Sequence, residues 1–135
     1  SLVFLNDEPL IEFPRLTSHK IIDIGGITLS LGHEKLNEYW EEVVNRRSKT
    51  ALISFGTIAK STQLSGASKR GILEAIARFP EVTFIWKYED PDDEFGLNQA
   101  SKLENLILTK WIPQVDLLNH PKIAAFITHG GMASL

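Results

Sequence analysis

Thr50-Ala51-Leu52-Ile53-Ser54-Phe55, closed by Gly56-Thr57, is the stretch from which the rest of the chain can be read. It is an uncharged run, too short for a typical helix and without alternation, which fits a strand covered on both faces. Upstream, Leu36, Tyr39, Trp40, Val43 and Val44 recur at helical spacing within residues 34–47, with charges between them. Downstream, Leu64, Ala67, Ile72, Ala75, Ile76 and Phe79 do the same until Pro80, which cannot continue a helix. Val82-Thr83-Phe84-Ile85-Trp86 and Leu106-Ile107-Leu108-Thr109 are further strands. Pro113 sits where a helix can start without missing its N–H, and that helix ends by Asn119-His120-Pro121. Ile123-Ala124-Ala125-Phe126-Ile127-Thr128 is a last apolar strand running into His129-Gly130-Gly131.

Two more strands are expected earlier, at residues 2–6 and 21–24, separated by a proline-bearing linker. Residues 88–101 read as an acidic, polar loop. From residue 21 the order is β-α-β-α-β-β-α-β, the pattern of an α/β domain: a Rossmann-like parallel sheet with flanking helices. Sheets of this kind bind ligands beyond the carboxyl ends of their strands. Gly56-Thr57, Trp111 to Gln114 and His129 to Ser134 all follow strands directly.

Composition excludes several classes. With 43% apolar and 23% charged residues among 135, the chain is long enough and apolar enough for a globular core. A net charge of -3, with basic residues interspersed among acids as in Lys87-Tyr88-Glu89-Asp90, gives no nucleic-acid footprint. Cysteine is absent, which removes disulfides, thiolate metal sites and a thiol nucleophile. No apolar run approaches the roughly 20 residues of a membrane span. Both ends read as cuts: there is no initiator Met, and Gly130 to Leu135 stop where a helix should begin. No dinucleotide fingerprint, Walker loop or nucleophile elbow occurs. His19, His33, His120 and His129 lack metal-site spacing, and the acids Glu89, Asp90, Asp92, Asp93 and Glu94 lack that of a calcium loop.

What remains lies at the strand ends. Gly56-Thr57 is either a plain turn or a place where backbone and hydroxyl approach a phosphate. Trp111 is either a core aromatic or an indole face for a planar base, with Ile112 meeting the base edge through its backbone. Gln114 offers a donor and an acceptor suited to ribose hydroxyls. His129 before Gly130-Gly131 is either a histidine satisfied at a tight turn or part of an anion clamp with the N–H groups that follow.

Together, Trp111-Ile112-Pro113-Gln114, Asp116-Leu117-Leu118, His120-Pro121 and Phe126-Ile127-Thr128-His129-Gly130-Gly131 closely resemble the UDP-glycosyltransferase signature, most nearly that of the animal UDP-glucuronosyltransferases. The likeness extends through Ile53-Ser54-Phe55-Gly56-Thr57 back to Ile24-Gly25-Gly26 and Phe13-Pro14-Arg15. It implies a GT-B glycosyltransferase: residues 1–19 as the end of the N-terminal, acceptor-binding domain and linker, and residues 20–135 as the first part of the C-terminal, UDP-sugar-binding domain. Such enzymes invert the sugar's anomeric centre while moving glucuronic acid or glucose from a UDP-sugar to a small lipophilic acceptor. They need neither a metal nor a cofactor, the UDP-sugar being a substrate.

Carried over by position, the resemblance implies Trp111 on the uracil, Ile112 at its edge and Gln114 at the ribose. His129, Gly131, Ser134 and the Thr57 loop would meet the diphosphate. Ala133 stands where relatives often carry Asn, leaving only its backbone N–H. The same likeness places the catalytic His and Asp, the sugar-gripping Asp-Gln pair and the membrane anchor outside this segment. The segment is therefore expected to be inactive alone, and its parent to sit in the endoplasmic reticulum membrane with lumenal catalytic domains. The resemblance also allows for an oligomeric parent. A degenerate UDP-sugar-binding or interaction module without transferase activity is the competing expectation, with Ala133 in its favour.

Overall fold

The computed structural model describes residues 1–7, 13–27 and 35–131. The chain forms two compact units, Ser1–Glu34 and Lys35–Leu135. In the first, strand β1 (Val3–Leu5) pairs in parallel with β2 (Ile21–Asp23), so the second expected strand joins a small sheet of its own. Asp7 and Asp23, just past β1 and at the end of β2, both pair with Arg15. One guanidinium thus ties the linker to both strands.

The second unit holds a four-stranded parallel sheet. Its strands are β3 (Lys49–Ser54), β4 (Val82–Lys87), β5 (Leu106–Thr109) and β6 (Ile123–Thr128), in spatial order β5-β4-β3-β6. The sequence opens helix α1 (Glu38–Asn45) with Asn37, whose side chain accepts from the Trp40 N–H at 3.0 Å. The helix therefore begins at Glu38 and is shorter than the 34–47 periodicity suggests. Trp40, Val43 and Val44 lie on one face and bury there with Leu52, Ile85, Ile112 and Leu117. On the opposite sheet face, helix α2 (Gly66–Ala77), capped by Ser65, packs Ile76 against Ala51, Ile53, Phe84 and Trp86. Alternate residues of β3 and β4 feed the two cores, so covering on both faces is the reason these strands read as apolar throughout. Along β6 the cover thins: Ala124, Ala125 and Ile127 are exposed.

The expected loop at 88–101 is corrected. It contains helix α3 (Glu94–Asn98) and a 3-10 turn over Ala100–Lys102. The reason is topological: β4 and β5 are parallel neighbours, so the chain must return across a sheet face before β5 can start. That return buries Phe95 edge-on to Trp86, with ring centroids 5.8 Å apart. Acidity does not prevent it, because Asp93 caps the helix by accepting from the Gly96 N–H at 2.8 Å.

Tyr88, fully buried, accepts from Lys69 Nζ at 2.7 Å and donates to Asp93 at 2.7 Å. Burial, and then that bond to the Asp93 carboxylate, holds the Tyr88 proton on well above tyrosine's ordinary range. Burial works to raise the Asp93 carboxyl. The Gly96 N–H, the Tyr88 hydroxyl and the Lys69 charge outweigh it and hold Asp93 below its usual value.

Asn105, also buried, reaches the carbonyls of Ile76 and Phe79, closing the carboxyl end of α2. No helix among the described residues is long and apolar enough to cross a membrane.

Candidate functional site

The carboxyl ends of β3, β4, β5 and β6 open on one cavity of about 700 Å³. Thr57, Trp111, Ile112, Gln114, His129 and Gly131 all line it. Six of the eight residues singled out from the sequence therefore meet in one place. Ala133 and Ser134 lie outside the described residues.

Each wall has a local cause. Beyond β3 the chain turns at Gly56, whose φ of +83° suits glycine and strains other residues. A Cβ there would come within 2.8 Å of His129 Cε1, and one on Gly131 within 2.4 Å of His129 Nε2. The imidazole is thus seated between two glycine backbones, and side chains on them would displace it. Beyond β6, Gly130 has a φ of +71°, which lets the chain double back beside His129.

Beyond β5, the Thr109 hydroxyl donates to the Trp111 carbonyl at 3.1 Å and shapes the bend before helix α4 (Gln114–Leu118). Pro113 stands at the cap, one residue before the helix. Ile112 turns its side chain into the core, 3% exposed, so within the cavity it presents mainly backbone. Trp111 is the reverse, with 72% of its surface exposed. Its indole stands at the cavity mouth beside Lys87 rather than in the core.

Sequence reasoning missed Lys87. In the sequence it stands only among basic residues interspersed with acids, whereas the side chain is 9% exposed and lines the cavity. Its ammonium donates to the Gly56 carbonyl at 2.8 Å and stands 5.6 Å from the Trp111 ring centroid, within cation–π range. The available signal was position: Lys87 is the last residue of a buried strand, level with the other strand tips. Ile58, Val115 and Asp116 also line the cavity without having been singled out as site residues. Among the described residues no three His, Asp or Glu side chains converge as metal ligands.

A flat aromatic face, an amide, an imidazole and an ammonium around one space suit a ligand that is planar at one end and anionic at the other.

Comparison with known proteins agrees in family and fold. The model of the UDP-glucuronosyl and UDP-glucosyl transferase family matches residues 2–135. The Caenorhabditis elegans protein ugt-55, described as a UDP-glucuronosyltransferase, is 41% identical over all 135 residues, which cover 26% of its length. Mouse UDP-glucuronosyltransferase 1A7 is 34% identical over 97% of this chain and 23% of its own. The chain thus spans about a quarter of the length of the curated relatives it matches. Among solved structures, the kitacinnamycin glycosyltransferase superposes with a TM-score of 0.59 at 21% identity, covering 88% of this chain and 28% of that one. A variant of Os79 from O. sativa, solved in complex with UDP, gives 0.58 at 17%, covering 84% and 28%. Those likenesses carry the fold, a parallel sheet with flanking helices that forms part of a GT-B glycosyltransferase. The family match over nearly every residue carries the rest: this chain belongs to the UDP-glucuronosyl and UDP-glucosyl transferase family.

Proposed function

We propose that the chain is the donor-binding segment of a longer, inverting transferase that moves glucuronic acid or glucose from a UDP-sugar to a small lipophilic acceptor. Residues 1–19 are then the end of the acceptor domain and linker, and residues 20–135 the first part of the donor domain. Trp111 stacks on the uracil, the Ile112 backbone meets the base edge and Gln114 takes the ribose. His129, Gly131 and the Thr57 loop cradle the diphosphate, joined by Ala133 and Ser134. As the bond from the anomeric carbon to the diphosphate breaks, charge grows on the leaving UDP. An imidazole and backbone N–H groups stabilise that charge without a metal or cofactor. The acceptor's proton goes to a base outside this segment, so the segment alone does not turn over. We place the parent in the endoplasmic reticulum membrane, its catalytic domains lumenal.

One observation supports this reading above the others: an exposed indole and an imidazole seated between glycines line the same cavity at the tips of parallel strands. The test is UDP titration of the full-length protein. Trp111→Ala is expected to weaken UDP by about 1–3 kcal/mol, the range of a lost base stack. Unchanged affinity rejects the stacking role. Absence of saturable UDP binding in the unaltered protein leaves the degenerate-module reading instead.

A further inference from the structure

We infer that Ser61, which lies outside the cavity, is a positioning residue for its phosphate end. The inference rests on the donor-site reading above. The segment from Gly56 to Ser61 leaves β3 and carries Thr57 and Ile58 at its tip, with residues 57–60 all exposed. Those four have no burial to hold them, so their placement depends on how the two ends of the segment are fixed. Both ends are tied to a single residue of the neighbouring strand. At the first, Lys87 Nζ donates to the Gly56 carbonyl at 2.8 Å. At the second, the buried Ser61 hydroxyl donates to the Lys87 carbonyl at 2.9 Å.

The Lys87 carbonyl can only accept, so the hydroxyl donates to it, and a third group completes the bonding of Ser61. Trp86 Nε1 is 3.1 Å from Ser61 Oγ, and an indole N–H can only donate. Ser61 must therefore accept from Trp86 and spend its one proton on Lys87. The next residue is held as well: the Thr62 N–H donates to Glu89 at 3.1 Å, and its carbonyl accepts from Lys69 at 2.9 Å. Removing the hydroxyl leaves a buried indole N–H and a buried carbonyl without partners, a cost the chain relieves by shifting this end of the segment. Thr57, at the tip, moves with it. The Trp111 platform and Gln114 lie on the β5 side, outside the Gly56–Ser61 segment; Lys87 meets the Trp111 ring through its side chain, not through the carbonyl that Ser61 holds.

The experiment compares uridine and UDP as probes on the full-length protein. A lower folded fraction raises both apparent dissociation constants by the same factor, so their ratio reports the phosphate end alone. Ser61→Ala is expected to weaken UDP about tenfold while uridine changes less than about twofold, as for a misplaced hydrogen bond to a charged group. Equal weakening of both probes, or of neither, overturns the inference. Should Ser61→Ala fail to fold, Ser61→Cys keeps a side chain of similar shape and exchanges the strong hydroxyl donor for a weak S–H. It is expected to shift the ratio the same way by a smaller factor, and an unchanged ratio overturns the inference. Unaltered protein that binds neither probe defeats the donor-site reading itself; one that binds both with a Ser61-independent ratio defeats this inference alone.

Discussion

Trp86 and Trp111 stand near the ends of neighbouring strands and have opposite surroundings. Trp86 is fully buried, edge-on to Tyr88 and Phe95, with its N–H spent on Ser61. Trp111 keeps 72% of its surface exposed, with the Lys87 ammonium over its ring. The difference separates two uses of one residue type. At Trp86, burial and a satisfied polar atom stabilise the fold; at Trp111, a large apolar face is left open beside the cavity.

Substitution sharpens the contrast. Trp86→Ala is expected to lower unfolding free energy by about 3–5 kcal/mol, because a large void opens against α2 and α3. Trp111→Ala is expected to change it by less than about 0.5 kcal/mol, as for exposed sites generally, while producing the loss of UDP affinity already described. Urea unfolding of both variants checks this. A Trp111 variant as destabilised as the Trp86 variant would erase the distinction.

How far each region could be read from the sequence follows the same division. The four sheet strands announce themselves by apolar runs, and the residues at their tips by position, since a chain leaving a parallel strand must pass the carboxyl edge. That is why Thr57, Trp111, Ile112, Gln114, His129 and Gly131 were legible as a group. Helix α3 was not. Its Asp93 and Glu94 look like a solvated loop until the parallel pairing of β4 with β5 demands a crossover that buries Phe95. Lys87 and Ser61 were illegible for a related reason. Their roles depend on a carbonyl or indole brought near by the pairing of β3 with β4, and periodicity along one strand carries no trace of that.

Gly56 tests the cavity side of the contrast at a finer scale. Gly56→Ala forces a side chain into φ +83° and sets its Cβ 2.8 Å from the His129 ring. The expected cost is about 1–3 kcal/mol of stability, the range for a residue held in left-handed backbone. The imidazole should move as well, visible as a changed His129 ring shift in NMR. An unchanged shift would mean that the glycine is not what seats the ring.

The smallest expected effect concerns the polar support beside Trp86. Tyr88→Phe removes one acceptor from Lys69 and one donor to Asp93, at a cost of about 1 kcal/mol near neutral pH. The sign with pH follows from the direction of each shift. Tyr88 ionises less readily folded than unfolded, so its contribution is whole below about pH 10 and is lost as pH rises further, through the raised folded value. Asp93 is more acidic folded than unfolded, so its contribution is whole above about pH 4 and fades as pH falls. The stability gap between the unaltered protein and Tyr88→Phe should therefore be widest near neutrality and narrow both in strong acid and above about pH 10. Urea unfolding across that range reads it directly. A gap that stayed constant into alkali would show that the Tyr88 hydroxyl is not held neutral by its burial, and that the Trp86 side of the sheet is wetter than its packing implies.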